Sequence, residues 1–182
     1  MITAIYNFDW YILDIISKLR CGFLDIFMPV VTFLGNAAVF WIILAAILLI
    51  IPKTRTCGIA LSCALIIVFV ANNLLIKLIV ERPRPFIADP SIKLLISPPG
   101  GFSFMSGHSC AGIASAVAIM RYYRKSGIAA LILAICITFS RLYLQVHFPT
   151  DVICGSISGI FFGIAGYKIA DRIKMKNTNK QK

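Results

Sequence analysis

The sequence predicts an all-α integral membrane protein, a bundle of about five transmembrane helices with an N-terminal amphipathic interfacial helix. The first observation is composition: of 182 residues, 59% are hydrophobic and 14% are charged, and the mean hydropathy is +0.90. Soluble domains are roughly 45–50% apolar and about 25% charged. The second is run length, because the 21 residues Thr56–Ile76 carry no charge and Ala37–Ile51 is apolar throughout. A spanning helix needs roughly 20 mostly apolar residues.

The N-terminal region, residues 1–35, predicts short helices at the membrane interface. Its apolar side chains share one helical face, and Asp14 and Lys18 form an i,i+4 pair on the opposite face. The alternative is a sixth, poor spanning helix, which these charges disfavour. The apolar residues of this face are Phe8, Ile12, Ile15, Ile16 and Leu19.

Apolar runs predict a transmembrane core over residues 36–172, followed by a basic cytoplasmic tail over 173–182. The run Ile26–Ile51 overshoots a bilayer core of about 30 Å at about 1.5 Å per residue, so we expect a tilt or a break at Gly35. The predicted spans are Ile26–Ile51, Thr56–Val80, Ser106–Arg121, Ser126–Tyr143 and Pro149–Ile169.

The net charge of +11 lies in short clusters between the apolar runs: "PKTR" at 52–55, "RYYRK" at 121–125 and the tail. The positive-inside rule assigns these clusters, and the C-terminus, to the cytoplasm, and therefore places the loops 81–105 and 141–151 on the opposite side. A nucleic-acid partner is not expected, because no soluble basic face exists to bind one. The six cysteines form no C-x-x-C pair and are interpreted as buried free thiols.

The polar groups of the non-cytoplasmic side fall into three sets. Ionisable groups at membrane depth are costly, so each is a functional candidate. The sets are Lys77 and Arg84; Ser106, Gly107 and His108; and Arg141, His147 and Asp151.

His147 and Asp151 are spaced four residues apart at the start of a predicted helix, since Pro149 suits a first helical turn. The carboxylate can reach one imidazole nitrogen and fix the tautomer, which leaves the other nitrogen as a nucleophile or base. The alternative is a helix-capping pair without chemistry.

His108 follows Ser106 and Gly107 at a second helix start, where backbone N–H groups and the helix dipole favour an anion. Lys77, Arg84 and Arg141 add cations that suit phosphate oxygens. Arg82 and Lys93 are instead assigned to snorkelling toward lipid head groups.

The spacings K-x6-R-P (Lys77 to Pro85), S-G-H (Ser106 to His108) and S-R-x5-H-x3-D (Ser140 to Asp151) resemble a three-part family signature. It is that of the type-2 phosphatidic acid phosphatases, which include glucose-6-phosphatase and the vanadium haloperoxidases. The resemblance covers about residues 55–170. One departure is Met105, where the family usually has proline before Ser-Gly-His.

The resemblance implies a chemical role for each of these positions. His147 attacks phosphorus and forms a phosphohistidine, Asp151 orients it, and His108 protonates the leaving oxygen. It also implies that no metal ion or cofactor takes part. The phosphoryl oxygens are held by Lys77, Arg84, Ser106, Gly107 and Arg141.

We therefore expect a metal-independent lipid phosphatase of the plasma membrane, of bacterial type, with its active site on the non-cytoplasmic side. Its partner is a lipid phosphate or diphosphate; undecaprenyl diphosphate is favoured over phosphatidylglycerol phosphate and phosphatidic acid.

A haloperoxidase is disfavoured because that branch of the family is soluble. A non-enzymatic anion or lipid carrier is disfavoured because binding alone does not need an Asp-oriented imidazole. The oligomeric state is left open.

Overall fold

The computed structural model describes residues 2–179, apart from the side chains of residues 2, 73 and 177–179. All regular elements in this range are helical, which confirms the predicted fold class. They are α1 (Ile2–Ser17), α2 (Gly22–Leu34), a 3₁₀ turn (Asn36–Ala38), α3 (Val39–Ile50), α4 (Arg55–Val68), a π-helical segment (Phe69–Ile76), α5 (Lys77–Val80), α6 (Pro85–Ala88), α7 (Gly107–Met120), α8 (Arg124–Tyr143) and α9 (Pro149–Asn179).

Within the described range, three helical stretches are long and apolar enough to cross a membrane: Arg55–Ala88, Arg124–Tyr143 and Pro149–Lys176. The pair α2 and α3 meets the same criterion only when counted together, and its axis bends by 41° at the break after Leu34. This bend confirms the expected interruption at Gly35. Helix α7 is apolar but has only 14 residues, so the count of five spans stays a prediction.

A row of glycines lets α9 pack closely on its neighbours. A Cβ added to Gly155, Gly159 or Gly163 would lie 2.7 Å from a backbone carbonyl oxygen of α7 or of Ser106, the residue before it. These residues are spaced four apart and therefore share one helical face. At the Gly155 end, this close approach brings the start of α7 against the start of α9.

Helix α1 packs on the bundle through one side and leaves apolar residues exposed on another. Leu13 and Ile16 are buried, whereas Phe8 and Ile15 are exposed, so the single apolar face predicted from the sequence is divided between two surroundings. The Lys18–Asp14 ion pair forms at 2.6 Å, as predicted. The interfacial position of α1 stays a prediction.

Helix α9 continues to Asn179, so helical structure covers most of the basic segment 173–182. Residues 180–182 lie outside the described residues. The three-part division of the chain into 1–35, 36–172 and 173–182 stays a prediction.

Candidate active site

His147 lies in the short connection between α8 and α9, and Asp151 lies in the first turn of α9. The Nδ1–Oδ2 distance between them is 3.6 Å, which is longer than a hydrogen bond. Ser103 joins the pair, because its Oγ donates to Asp151 Oδ2 at 2.5 Å and lies 3.4 Å from His147 Nδ1. The Phe148 N–H also donates to Asp151 Oδ2, at 2.8 Å. Asp151 therefore accepts a capping hydrogen bond at the start of α9 and also faces the imidazole. Helix capping and orientation of His147 are thus compatible interpretations of the motif.

Arg84 contacts the second ring nitrogen of His147, the candidate nucleophile. Its Nη1 lies 3.2 Å from His147 Nε2 and also donates to the Val146 carbonyl at 2.8 Å. Its remaining nitrogens donate to the carbonyls of Gly100 and Gly101 at 3.0 Å. A guanidinium has donors only, so Nε2 is the lone-pair nitrogen and Nδ1 carries the proton.

The imidazole of His147 is neutral in these surroundings. Burial, together with the positive charges of Arg141 and Arg84, lowers its pKa to about 3, and the Asp151 carboxylate opposes this shift. A neutral ring with a lone pair at Nε2 is the form that can act as a nucleophile.

Arg141, at the end of α8, is buried, and its Nη1 donates to the Thr32 hydroxyl of α2. Its Nε has no hydrogen-bond partner in the described part of the chain. Buried guanidinium groups are normally paired. The Nε–H of Arg141 is therefore a donor that an anion could satisfy.

The start of α7 contains the S-G-H motif. Ser106 is the N-cap: its Oγ accepts hydrogen bonds from the Ser109 N–H at 3.4 Å and the Ser109 Oγ at 3.0 Å. Gly107 is the first residue of the helix. His108 Nε2 lies 3.1 Å from Asn36 Oδ1 in the 3₁₀ turn. The Ser106 hydroxyl thus already has a capping role, and its contact with phosphate stays a prediction.

Lys77 and His108 share one cavity of about 640 Å³. Gly107 and Gly35 also border it, and most of the remaining wall is apolar. His108 interacts electrostatically with Lys77, Arg84, Arg141 and His147. The three motifs are therefore brought to one place, with the polar cluster next to an apolar space. The apolar wall includes Ala37, Ala38, Ile42, Ala45, Ala46, Leu49, Leu65, Ile66, Val68, Phe69 and Ala111.

Arg82 corrects the sequence prediction, which assigned it to lipid head groups. Its Nη1 donates to Asp151 Oδ1 at 2.7 Å, its Nη2 donates to Asp9 Oδ2, and its guanidinium lies 4.1 Å from the centroid of the Phe148 ring. Two buried acids attract it inward: Asp151, and Asp9, which the sequence argument did not place near the site. Its position two residues before Arg84 could have indicated a place near the site, because both arginines lie in the same short loop.

Met105, the departure from the family pattern, is buried in the main hydrophobic cluster with an exposed fraction of 1%. The next residue, Ser106, donates its N–H to the Asp151 carbonyl at 3.1 Å. This backbone bond holds the loop against α9.

No group of three or more His, Cys, Asp or Glu side chains within the described residues is arranged to hold a metal ion. The positive charges beside His147 are those of Arg84 and Arg141.

Comparison with known proteins gives one family match and several relatives. Residues 56–175 match the model of the PAP2 superfamily. An undecaprenyl-diphosphatase of Sulfolobus acidocaldarius is 32% identical over 130 residues, which cover 71% of this chain and 63% of the relative. The chain thus spans less than two thirds of that protein.

A lipid A 4'-phosphatase of Bacteroides thetaiotaomicron is 29% identical over 187 residues, covering 95% of this chain and 81% of the relative. The crystal structure of Aquifex aeolicus LpxE superposes with a TM-score of 0.72 at 26% identity, covering 88% of this chain and 95% of that one. The likeness extends beyond the three motifs to the helical bundle as a whole.

Proposed function

The chain belongs to the PAP2 superfamily, and we propose that it is a metal-independent lipid phosphatase that removes the terminal phosphate of a membrane lipid through a phosphohistidine. The observation that carries this proposal is the state of His147. Its Nδ1 side faces Ser103 and Asp151, and its Nε2 lone pair faces Arg84. One nitrogen is thereby oriented, and the other can attack once a phosphoryl oxygen takes over the Arg84 donor.

In the first step, the His147 Nε2 lone pair forms a bond to phosphorus while the bond between phosphorus and the lipid-side oxygen breaks. His108 gives a proton to that leaving oxygen. In the second step, a water oxygen attacks phosphorus, the N–P bond breaks, and His108 takes the proton from the water. Inorganic phosphate leaves, and both imidazoles return to their starting forms.

Fixed positive charges supply the electrostatic stabilisation that this transfer requires. Arg84 Nη1 donates to His147 Nε2 at 3.2 Å, and a phosphoryl oxygen can take over this donor and release the lone pair. Arg141 offers its unpartnered Nε, and Lys77 lies beside His108 in the cavity wall. With Gly107 and Ser106 at the start of α7, these groups form the proposed phosphoryl site.

A lipid substrate is supported by the cavity that borders His108. A phosphoryl group next to Lys77 and His108 places the attached lipid at an apolar space of about 640 Å³, and this lining suits hydrocarbon. The relative named undecaprenyl-diphosphatase, 32% identical over 130 residues, favours undecaprenyl diphosphate. The distribution of basic clusters favours the non-cytoplasmic side of the membrane for the site.

A second candidate substrate is a lipid phosphomonoester, such as phosphatidylglycerol phosphate, phosphatidic acid or a phosphorylated glycolipid. The lipid A 4'-phosphatase relative favours it, because its alignment covers 95% of this chain. The same residues serve this reaction, since only the leaving group differs.

The test is phosphate release from a panel of these lipids by purified protein in EDTA, with His147→Ala as the blank. We expect release in EDTA, inhibition by vanadate, and the highest kcat/KM with undecaprenyl diphosphate. Turnover that requires an added metal contradicts the mechanism. Lipid binding that persists without any phosphate release points instead to a carrier.

A further inference from the structure

Asp9 is a wholly buried carboxylate on a helix that exposes several large apolar side chains. Helix α1 exposes Tyr6, Phe8 and Tyr11, yet the Asp9 side chain has no exposed area. Asp14, on the same helix, has 61% of its side chain exposed and forms an ion pair with Lys18. A buried charge is costly unless it is paired, so the contacts of Asp9 indicate its role.

Asp9 binds the first turn of α9. Its Oδ1 accepts the Thr150 N–H at 2.9 Å, and its Oδ2 accepts the Thr150 hydroxyl at 2.7 Å. The same Oδ2 accepts a hydrogen bond from Arg82 Nη2. Thr150 immediately precedes Asp151, so α1 contacts the helix that positions the catalytic carboxylate.

Arg82 completes the connection. Its Nη1 donates to Asp151 Oδ1 and to the Thr150 hydroxyl, both at 2.7 Å. One guanidinium therefore bridges two carboxylates that have no exposed area, while its own side chain is 20% exposed. Because Oδ1 of Asp151 is held by Arg82, Oδ2 remains directed at Ser103 and His147.

We propose that Asp9 is a positioning residue for the phosphotransfer step: acting through Arg82, it fixes the Asp151 carboxylate that orients His147. This inference rests on the proposed function. Without the Asp9 charge, Arg82 keeps one anionic partner and can turn toward solvent, which releases Asp151 Oδ1. His147 is therefore correctly oriented only when α1 is packed on the first turn of α9.

The discriminating variant is Asp9→Asn, because an amide retains an oxygen for the Thr150 N–H but carries no charge for Arg82. Asp14→Asn is the matched control on the same helix. We expect Asp9→Asn to lower kcat by about 10- to 100-fold, as for a misplaced catalytic group, with KM within threefold. Asp14→Asn is expected to behave as wild type. A fall in kcat of less than tenfold for folded Asp9→Asn protein overturns the proposal, as does an equal fall for Asp14→Asn.

A second measurement keeps the inference testable if Asp9→Asn does not fold. Arg82→Lys retains a positive charge but cannot bridge both carboxylates, and the same loss in kcat with little change in KM is expected. An unchanged kcat in Arg82→Lys overturns the proposal.

Nitrogen-15 NMR of the ring separates this inference from the proposed function. In a His108→Asn background, His147 is the only histidine, and its shifts report the tautomer without turnover. We expect one tautomer, with the proton on Nδ1, and a mixture when Asp9→Asn or Arg82→Lys is added. An unchanged tautomer refutes the positioning role, whereas absence of phosphate release by the wild-type protein refutes only the proposed function.

Discussion

The two histidines lie in contrasting surroundings at the meeting point of α7, α8 and α9. His147 is 2% exposed and has Ser103 near one ring nitrogen and Arg84 at the other. His108 has one hydrogen-bond partner among the described residues, Asn36, and borders an apolar cavity.

This difference fits the two proposed roles. A nucleophile requires a fixed tautomer and a fixed direction of attack, which a dense set of donors and acceptors provides. A group that protonates the leaving oxygen must be reachable from the lipid side, and the cavity provides that access. The two environments can be tested separately, starting with the changes that have the largest expected effect.

His147→Ala removes the proposed nucleophile. We expect kcat to fall by on the order of 10⁴-fold or more, as for loss of other nucleophiles, and rapid alkaline quenching to yield a phosphohistidine in wild-type protein but none in the variant. The measurement is phosphate release, with the melting temperature as a check on folding. Activity above 1% of wild type contradicts His147 as the nucleophile.

His108→Asn removes the proposed proton donor at the cavity side. We expect a loss of about 10²- to 10⁴-fold for alkyl phosphate leaving groups, the usual range for general acid catalysis. The nitrophenolate of a nitrophenyl phosphate leaves without protonation, so we expect a much smaller loss of activity with that substrate. Equal losses for the two substrates refute the general-acid role and leave His108 as a binding residue.

Ser103→Ala removes the hydroxyl that lies between Asp151 and His147. A hydrogen bond to a charged group contributes about 1.5–3 kcal/mol, so we expect kcat to fall by about 10- to 100-fold. Ser115→Ala is the matched control, because that buried hydroxyl bonds only to the Ala111 carbonyl of its own helix. Comparable activities for the two variants contradict a role for Ser103 in orienting the pair.

Gly35→Ala tests the packing around His108. An added Cβ lies 2.5 Å from His108 Cδ2 and 2.7 Å from Ile137 Cγ2, whereas one at Gly22 meets nothing within 4 Å. Overpacking of this kind costs about 1–3 kcal/mol. We expect lower stability and a several-fold lower kcat for Gly35→Ala, and no change for Gly22→Ala. A wild-type kcat in Gly35→Ala shows that the position of His108 is not constrained by this turn.

The smallest expected effect concerns the protonation of His147. Because burial lowers its pKa to about 3, the folded protein keeps this ring neutral at pH 5, whereas an unfolded histidine takes up a proton near pH 6.5. The associated stability is therefore fully present above about pH 6.5 and is lost as the pH falls toward 3. In His108→Asn, the ring resonances should not titrate between pH 8 and pH 5; a titration near pH 6.5 contradicts the buried, cation-flanked site.

The local parts of the site were predictable from the sequence, because they depend on short spacings. His147 and Asp151 are four residues apart, and the helix start at Pro149 turns that spacing into proximity. The break at Gly35 followed from a comparison of run length with bilayer thickness. The roles of Arg82 and Asp9 did not follow, because Asp9 and Thr150 are separated by 141 positions and no local pattern links them.

The helical membrane fold and the chemical types of the candidate catalytic residues are predictable from the sequence, because hydropathy and motif spacing act along the chain. The position of Ser103 between Asp151 and His147, the approach of Arg84 to Nε2 and the inward turn of Arg82 are visible only in the folded bundle. These choices depend on which distant helices pack together. Packing through the glycine face of α9 brings the buried charges within hydrogen-bond distance of their partners.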